Sequence, residues 1–273
     1  MASNASAAEP RWSVVVPFYN ERDELPATLA SLAAQTVRPL RLILVDNGST
    51  DGSAAVARAA LAAADASGLE ATFLEEATPG QAAALETGIA AVSTAFVAIC
   101  DADTRYAPTY LARAEAAYDA EGPGLVAVLG TALYGPVDCA DSRRRVLKAT
   151  VVPRILRRQC HAGGYAHTFR TEALKASGGY SRALWPYLRK DHELVHRVWK
   201  QGRVRHDPGM HCFANDRRTA RLPWSLAERA LYHATPFSLK DWFFYRFLAG
   251  RMAARQADER LLRQRPWEAK ADG

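Results

Sequence analysis

The sequence predicts an α/β fold in which helices cover both faces of a mostly parallel sheet, followed by a helical C-terminal extension. Short β-rich runs alternate with alanine-rich helical stretches through the first hundred residues, which is typical of βαβ units. Each predicted strand is apolar on both faces, as expected where helices cover both sides of a sheet. Beyond Pro223 the pattern is helical.

The first half of the chain accounts for the parallel part of the sheet. We predict strands at 12–17, 40–45, 71–74 and 95–100, with helices at about 23–35, 51–64 and 80–92 between them. In open sheets of this kind, ligands bind at the carboxyl ends of the strands. The candidate ligand-binding loops are therefore 18–21, 46–49 and 101–103.

The alternation ends after a further predicted strand at 125–129. The pattern then predicts a basic helix over 142–158 that Pro153 interrupts, a helix at 190–201, a short strand at 204–206 and a charged loop at 208–221. We predict a disordered lead-in at 1–11, one domain at 12–222 and a helical extension at 223–273.

Composition indicates a soluble globular protein, with 49% hydrophobic and 23% charged residues. The four cysteines are far apart and form no Cys-x-x-Cys pair, so no zinc ribbon or redox motif is indicated. The N-terminus lacks the pattern of a secretory signal, and no apolar run reaches the length of a membrane span. We therefore predict a cytoplasmic location.

The net charge of +6 is unevenly divided along the chain. Residues 1–138 contain 7 basic and 17 acidic residues, a net charge of −10, whereas residues 139–273 contain 28 and 12, a net charge of +16. This division suits a partner of mixed charge, such as a metal ion with a diphosphate, or an anionic membrane surface. The basic residues are scattered and no nucleic-acid-binding motif accompanies them, so we predict no nucleic-acid partner.

Asp101 and Asp103 directly follow a predicted buried strand. In an extended segment, residues i and i+2 point the same way, so both carboxylates can reach one cation. Hard oxygen ligands with few protein contacts suit Mg²⁺ or Mn²⁺, which keep positions free for phosphate oxygens. The alternative is an aspartate-rich turn in which one carboxylate caps the helix that begins near Pro108.

The segment from Asp46 to Ser53 reads Asp-Asn-Gly-Ser-Thr-Asp-Gly-Ser and follows the second strand. Its glycines allow the backbone to approach a ligand, and Asp46 can accept hydrogen bonds from a base or a ribose. The alternative is local. Asp51 is a good N-cap for the next helix, and Asn-Gly and Asp-Gly are common turn sequences.

Three motifs taken together resemble those of a family 2 glycosyltransferase of GT-A fold. They are Val15-Val16-Pro17-Phe18-Tyr19-Asn20-Glu21, the Asp46 to Ser53 segment and Asp101-Ala102-Asp103, in that order over about residues 12–105. The resemblance extends to about residue 210 through Pro79-Gly80 leading to Thr87-Gly88, Gly178-Gly179-Tyr180, and Lys190-Asp191-His192-Glu193-Leu194. Three motifs in one order are more specific than any one of them.

The resemblance implies a Rossmann-like GT-A domain, with residues 12–105 as its nucleotide-binding half and 106–222 as its acceptor-side half. It implies an inverting transfer from a nucleotide diphosphate sugar to an acceptor hydroxyl. We favour a UDP-sugar over a GDP-sugar as the donor. From the +16 charge of residues 139–273 and the aromatic residues at 242–247, we hypothesise that the acceptor is on a lipid or a cell-envelope glycan. A Mn²⁺ or Mg²⁺ ion near Asp101 and Asp103 would receive the diphosphate. The donor-binding residues are expected to be Pro17, Tyr19, Glu21, Asp46, Gln81 and Asp101.

The resemblance also places the catalytic base at Asp191. On a helix, Asp191 begins an i, i+3, i+4, i+7 pattern of apolar residues, so its carboxylate is expected to point toward the sheet. Glu193 falls on another face, four residues before Arg197, where a surface ion pair accounts for it. The alternative for Asp191 is a first-turn carboxylate that complements the helix dipole.

The loop after the predicted 204–206 strand supplies further candidates. We predict His211 as a third metal ligand, as in members of the fold that use a C-terminal histidine, and Arg217 with Arg218 as the residues that neutralise the diphosphate. The alternatives are a surface histidine and a solvated basic loop.

The sequence departs from the family pattern at two positions. Lys190 stands where a glutamate commonly precedes the base, and Glu86 stands where an asparagine is common before Thr87. A neighbouring ammonium would favour the ionised, less basic form of Asp191.

Aromatic and basic residues are mixed in the 237–247 segment. Such a segment can lie in a membrane interface, with its rings at the level of the head groups, or it can pack against its own domain or a second copy. We hypothesise peripheral contact with the inner face of the membrane, with Trp242 and Phe243 setting the depth of insertion.

Two other classes of function stay open. A sugar-1-phosphate nucleotidyltransferase should carry a glycine-rich basic loop after the first strand, where this chain has Phe18-Tyr19-Asn20-Glu21. A non-catalytic sugar-nucleotide-binding or membrane-associated protein would tolerate loss of Asp191, which is present.

Overall fold

The computed structural model describes residues 9–64, 69–215 and 225–255. Its strands are β1 Trp12–Phe18, β2 Leu40–Asp46, β3 Leu69–Glu75, β4 Phe96–Ile99, β5 Thr104–Tyr106, β6 Leu125–Leu133, β7 His167–Arg170 and β8 Arg203–Ala214. They form one eight-stranded sheet in the order β3-β2-β1-β4-β7-β6-β8-β5. The fold is therefore α/β, as predicted.

The first four strands form the parallel part of the sheet. β1 pairs in parallel with both β2 and β4, and β2 pairs in parallel with β3. The connecting helices are α1 Leu25–Ala33, α2 Ser53–Ala64 and α3 Gln81–Ala90. These elements agree with the predicted strands and helices to within a few residues.

The other half of the sheet is mixed. β7 runs antiparallel to β4 and to β6, β5 runs antiparallel to β8, and β6 runs parallel to β8. The sheet is thus parallel where the βαβ alternation predicts it and mixed beyond that point. β5 and β7 are not among the predicted strands, because each is too short to show an alternating pattern.

β8 corrects the prediction of a short strand followed by a loop. It continues through Pro208 and Gly209 to Ala214, and only the later part of the predicted 208–221 loop lies outside the described residues. The strand survives a proline and a glycine because a bulge absorbs them, with a register shift opposite Leu129 and Thr131. Asp207 holds this bulge, because it accepts bonds from Arg113 Nη2 and the Gly209 N–H, each at 2.8 Å.

The second half of the chain carries the remaining helices. They are α4 Tyr110–Glu121, α5 Ala140–Ile155, α6 Thr171–Ala176, α7 Lys190–Val198, α8 Leu226–Ala234, α9 Lys240–Trp242, a π-helical turn Phe243–Leu248 and α10 Ala249–Ala254. Pro153 lies inside α5, so the predicted interruption of this helix is wrong. The described part of the C-terminal extension is helical, as predicted. Within the described ranges, no helix is long and apolar enough to cross a bilayer.

Alternate residues of the central strands fill separate cores on the two faces of the sheet. Val14 and Val16 belong to one core, and Val15 belongs to the other. A third cluster joins the C-terminal helices to the domain, and Phe243 and Phe244 are fully buried in it. The hypothesis that Phe243 inserts into a membrane is therefore wrong, and packing against the domain accounts for that ring. Trp242 is 51% exposed, and its contact with a membrane stays a prediction.

The described structure begins at residue 9, within the lead-in that was predicted to end at residue 11. Residues 1–8 lie outside the described residues, but Arg11 Nη2 donates to Asp119 Oδ1 at 2.7 Å, and Arg11 Nη1 lies 2.9 Å from Glu115 Oε1. Arg11 therefore ties the start of β1 to α4.

Glu193 and Arg197 form a buried ion pair on α7, not the predicted surface pair. Glu193 Oε1 lies 2.6 Å from Arg197 Nε, and both residues are buried. Arg197 also donates to the carbonyl oxygens of Ser177 and Gly179, and the Tyr245 hydroxyl donates to Glu193. Helical spacing could not reveal this, because the covering residues come from distant segments.

We expect Gly88→Ala to lower the free energy of unfolding by about 1–3 kcal/mol, because the added methyl overpacks the contact between α3 and the sheet. A Cβ at Gly88 would lie 2.5 Å from Val15 Cγ1 and 3.0 Å from Val45 Cγ2. Gly250→Ala is the control, since nothing lies within 4 Å of its added carbon. Helix propensity should stabilise that variant by up to about 1 kcal/mol. Urea unfolding measures both, and equal effects would contradict the packing argument.

We expect Arg197→Met to cost about 3–5 kcal/mol, because it leaves the Glu193 carboxylate buried without its partner. Arg145→Met is the matched control. It breaks a pair of the same i, i+4 spacing with Asp141, where the two side chains are 42% and 55% exposed. That change should cost less than about 1 kcal/mol. Chemical denaturation of both variants gives the comparison, and similar losses would show that burial of the Glu193 pair does not matter.

Candidate active site

The predicted donor-binding residues meet at one edge of the sheet, because parallel strands end on the same side. Tyr19 and Glu21 follow β1, Asp46 is the last residue of β2, and Asp101 follows β4. Pro17 is buried near the end of β1, opposite Val45 of β2. The structure therefore brings the first two candidate loops and Asp101 to a common edge.

Hydrogen bonds hold the loop after β1 against the loop after β2. Asn20 has a left-handed backbone with φ of 50°, which asparagine tolerates, and its Oδ1 accepts the Thr50 N–H at 2.8 Å. The Glu21 N–H donates to Ser53 Oγ at 2.8 Å. The backbone around Glu21 is thus fixed relative to the Asp46 segment.

Two aspartates of the 46–53 segment have local partners. Asp46 is buried, and its Oδ1 accepts the Ser49 N–H at 2.9 Å. Asp51 accepts the N–H groups of Ser53 at 2.9 Å and Arg22 at 3.0 Å. It thus bonds to the first residue of α2, but the N-cap position is Gly52, one residue later than predicted, because the Gly52 carbonyl oxygen accepts the first helical bond, from Val56. Burial raises the pKa of Asp51, but hydrogen bonds from Ser53 and Arg22 outweigh it, and the pKa lies below its usual value.

Asn47 joins the same segment to the start of α3. Its Nδ2 donates to the carbonyl oxygens of Glu76 and Thr78, at 2.9 and 2.7 Å, and its Oδ1 accepts the Gly80 N–H at 2.8 Å. Gly80 has φ of 117°, which favours glycine. This network sets the position of Gln81, the first residue of α3.

Gln81 connects Asp101 to the N-terminus of α7. Gln81 Nε2 donates to Asp101 Oδ1 at 2.8 Å, and Lys190 Nζ donates to Gln81 Oε1 at 2.9 Å. A predicted donor-binding residue therefore bridges a predicted metal ligand and the residue that precedes the predicted base.

A second hydrogen-bonded route links Asp101 to Asp191. The Asp101 N–H donates to the Tyr106 hydroxyl at 3.0 Å, which donates to the Tyr165 carbonyl oxygen at 3.0 Å. Gly164, the preceding residue, donates its backbone N–H to Asp191. A Cβ on Gly164 would collide with Asp191 Oδ1, so only glycine admits the carboxylate here.

The Asp191 carboxylate is half-buried and has ordered partners. The Tyr180 hydroxyl donates to Asp191 Oδ1 at 3.2 Å. Burial raises the pKa of Asp191, but the positive charge of Lys190 and the Gly164 N–H help to outweigh it, and the pKa lies below its usual value. Asp191 is therefore ionised at neutral pH and can accept a proton.

Asp103 lies just before β5, two residues from Asp101. Thr104 Oγ1 lies 3.4 Å from Asp103 Oδ1. Ala102 and Asp103 lie in a turn, which the Thr104 N–H closes on the Asp101 carbonyl oxygen at 3.4 Å, and not in the expected extended segment. The turn of the alternative is therefore present, but its capping role is not, because the N-cap of α4 is Thr109 and α4 has no side-chain cap bond. Throughout the described part of the chain, no three His, Cys, Asp or Glu side chains are grouped closely enough to hold a metal ion.

His211 is not brought to the two aspartates. β5 pairs Thr104 with Ala214, and the Ala107 N–H donates to the His211 carbonyl oxygen. His211 thus lies four residues along the strand from the level of Asp103, roughly 13 Å at strand spacing. His211 Nε2 is 2.9 Å from the Pro208 carbonyl oxygen. Arg217 and Arg218 lie outside the described residues.

Glu86, the second departure from the family pattern, has a structural partner. Its two carboxylate oxygens accept the backbone N–H and the Nε of Arg182, at 2.6 and 3.1 Å. Glu86 therefore anchors the segment after Gly178-Gly179-Tyr180. Sequence reasoning did not assign the roles of Gly164 and Tyr180, although the Gly163-Gly164 pair is a signal of close backbone approach.

Solved structures with a similar fold include a mannosyltransferase and a protein bound to a nucleotide sugar. The mannosyltransferase PcManGT of Pyrobaculum calidifontis, in complex with GDP-Man and Mn²⁺, matches with a TM-score of 0.60 and 20% identity over 90% of this chain and 74% of that one. TarS of S. aureus, residues 1–349 in complex with UDP-GlcNAc, matches with a TM-score of 0.57 and 17% identity over 87% and 71% of the two chains. At these identities the likeness shows the fold, which is GT-A.

Curated relatives match the N-terminal part of the chain. An undecaprenyl-phosphate 4-deoxy-4-formamido-L-arabinose transferase of Serratia proteamaculans is 39% identical over 126 residues, which are 43% of this chain and 38% of the relative. Glycosyltransferase AglE of Haloferax volcanii is 34% identical over 119 residues, again 43% and 38%. The matches thus span about two fifths of these relatives. The sequence profile of the family described as glycosyl transferase family 2 matches residues 13–171, more than half of the chain, and the protein belongs to that family.

Proposed function

We propose that the protein is an inverting glycosyltransferase that moves a sugar from a nucleotide diphosphate sugar to an acceptor hydroxyl. The observation that carries the proposal is the double hydrogen-bonded link between Asp101 and the N-terminal end of α7, where Asp191 lies. It unites a candidate diphosphate site with an ionised carboxylate that can act as a base. Family membership and the nucleotide-sugar complexes of structures with the same fold support this function.

The donor is proposed to bind at the carboxyl ends of β1 and β2. Pro17, Tyr19, Glu21 and Asp46 would contact the nucleoside, and Gln81 and Asp101 would lie toward the diphosphate. We favour a UDP-sugar over a GDP-sugar, although structures of the same fold contain one of each. Arg217 and Arg218 are proposed to neutralise the diphosphate.

Asp101 and Asp103 are proposed to hold a Mn²⁺ or Mg²⁺ ion. Two carboxylates at i and i+2 form a hard, incomplete ligand set, which fits an ion that shares its coordination with phosphate oxygens. When bound, such an ion supplies positive charge that stabilises the departing diphosphate. His211 is left out of this ligand set, because of its distance along β8 and its bond to Pro208.

Asp191 is proposed to take the proton of the acceptor hydroxyl. The acceptor oxygen then attacks the anomeric carbon from the face opposite the diphosphate, the bond from that carbon to the diphosphate oxygen breaks, and the configuration inverts in one displacement. Gly164 and Tyr180 position the carboxylate, and Lys190 keeps it ionised before the acceptor arrives.

The acceptor is proposed to be a lipid phosphate at the inner face of a membrane. The support is a relative whose name specifies undecaprenyl phosphate, with 39% identity to this chain over the matched residues. A singly protonated phosphate monoester presents the hydroxyl that the mechanism requires. A non-catalytic sugar-nucleotide-binding protein and a sugar-1-phosphate nucleotidyltransferase are the alternatives, and the first assay below separates them.

We expect slow release of nucleoside diphosphate from one member of a panel of UDP- and GDP-sugars, with Mn²⁺ and not with EDTA. Slow transfer to water reveals the donor without knowledge of the acceptor. Asp103→Ala should abolish the metal-dependent part, whereas Asp138→Ala, which removes an exposed aspartate, should not. Nucleotide binding without release would favour the non-catalytic alternative, and pyrophosphate formation from a sugar phosphate and a nucleoside triphosphate would favour the nucleotidyltransferase.

We expect Asp191→Asn to reduce turnover by roughly 10²-fold or more, the range that a positioned base supplies, with donor affinity nearly unchanged. The Asp191 limb of the wild-type pH profile should lie at a lower pH than an ordinary aspartate gives, because the pKa of Asp191 is lowered and only its ionised form accepts the proton. Nucleotide release with a polyprenyl phosphate acceptor gives turnover, and calorimetry gives donor affinity. Near wild-type turnover would mean that another group is the base.

A further inference from the structure

Nine of the 16 residues of α5 are exposed. Ser142 is its one fully buried residue, although the helix runs for 16 residues. Three aliphatic side chains at i, i+4 and i+8 point outward: Leu147 is 63% exposed, Val151 40% and Ile155 72%. Such a stripe on a surface helix faces solvent at a cost unless something covers it.

Basic residues share the exposed face of α5 with this stripe. At about 100° per residue, the aliphatic residues and the exposed basic residues fall within an arc of roughly 140°. The basic members are Arg143, Arg144, Lys148 and Arg154. The acidic residue of the helix, Asp141, lies at the edge of the arc and pairs with Arg145. The face is therefore apolar and strongly positive at once.

A cavity of about 440 Å³ lies at the C-terminal end of α5. Arg154, Arg157 and Arg158 line it together with Trp199 and His206. Trp199 Nε1 and His206 Nε2 are buried without a hydrogen-bond partner among the described residues. Burial lowers the pKa of His206 to about 3, so the ring is neutral. The three guanidinium groups suit a phosphate group, which accepts several charge-assisted hydrogen bonds.

We propose that the exposed face of α5 docks on an anionic lipid bilayer, with a lipid phosphate group in the arginine-lined cavity. Aliphatic side chains mixed with arginine and lysine on one helical face are what an interfacial helix presents to anionic lipid. The 237–247 segment is a poorer candidate, because Phe243 and Phe244 are buried in the domain. The docking proposal rests on the proposed function, because docking would bring the active site to a lipid acceptor.

Vesicle flotation tests the docking face directly. The full chain should float with phosphatidylglycerol and phosphatidylcholine vesicles, float less as salt rises, and stay unbound to pure phosphatidylcholine. Replacement of Leu147, Val151 and Ile155 by Ser should weaken binding by more than about tenfold. The matched control replaces three exposed leucines elsewhere, Leu184, Leu226 and Leu239, by Ser and should bind as the wild type does.

Charge variants test the cavity. Arg154→Gln with Arg157→Gln should weaken flotation by more than about tenfold, whereas Arg203→Gln with Arg205→Gln removes two charges elsewhere and should have a smaller effect. Excess inorganic phosphate at constant ionic strength should compete with the wild type if the cavity accepts the phosphate group. Absence of competition, or equal effects of the two charge pairs, would overturn the cavity assignment.

Three outcomes would overturn the docking face itself. They are no flotation of the wild type at low salt, unchanged flotation of the aliphatic variant, and self-association of the wild type that this variant abolishes. Ile155→Glu is a single exposed change that keeps the test decisive if the triple variant misfolds. Nucleotide release without vesicles is measured on every variant. Vesicle binding without release from any donor would refute the proposed function and not the docking face, and the reverse result would refute the docking face alone.

Discussion

The arrangement of the site depends on the two hydrogen bonds that the Gln81 amide makes. The amide accepts a hydrogen bond from Lys190, 109 residues away in sequence, and donates one to Asp101, 20 residues away. An amide can do both because its oxygen accepts while its nitrogen donates, which neither a carboxylate nor an ammonium can do. Asp101 belongs to the acidic half of the chain and Lys190 to the basic half. The Gln81 side chain therefore joins the two halves between two groups of opposite charge.

The contact between Gly164 and Asp191 is the complementary constraint. The Gln81 bridge connects α7 to the sheet edge through side chains. At Gly164, by contrast, the backbone lies directly against the Asp191 carboxylate, and a Cβ on residue 164 would not fit between them. Tyr106 and Tyr165 continue this contact to the backbone of Asp101. The Asp191 carboxylate is held by the Gly164 N–H and the Tyr180 hydroxyl, and the buried Glu193–Arg197 pair fixes the same helix two residues further on. A base held in this way loses little freedom when the acceptor binds.

The hydrophobic pattern of the sequence predicted those strands and helices whose burial follows from residues nearby in sequence. β1 and β2 are uninterrupted apolar runs, and α7 carries its apolar face at helical spacing. β7 was not predicted, because its four residues are too few to show an alternating pattern. β8 was predicted too short, because it contains a Pro-Gly pair that usually marks a turn. The strand continues there because Asp207 bonds to Arg113, 94 residues earlier. The burial of Glu193 likewise depends on segments far away in sequence, so helical spacing could not predict it. For Phe243 the sequence left two alternatives open, and packing against the domain is the one that the structure has.

Lys190, which precedes the proposed base Asp191, affects which acceptor the site suits, because its charge sets the basicity of Asp191. Lys190 lowers the pKa of Asp191, and a carboxylate of lower pKa is a weaker base. That is a disadvantage toward a sugar hydroxyl, which is a very weak acid. A phosphate monoester loses its second proton with a pKa of about 6, so a weaker base suffices for it. Lys190 therefore suits the proposed phosphate acceptor better than a sugar hydroxyl, and its ammonium, held by Gln81, adds positive charge beside Asp191.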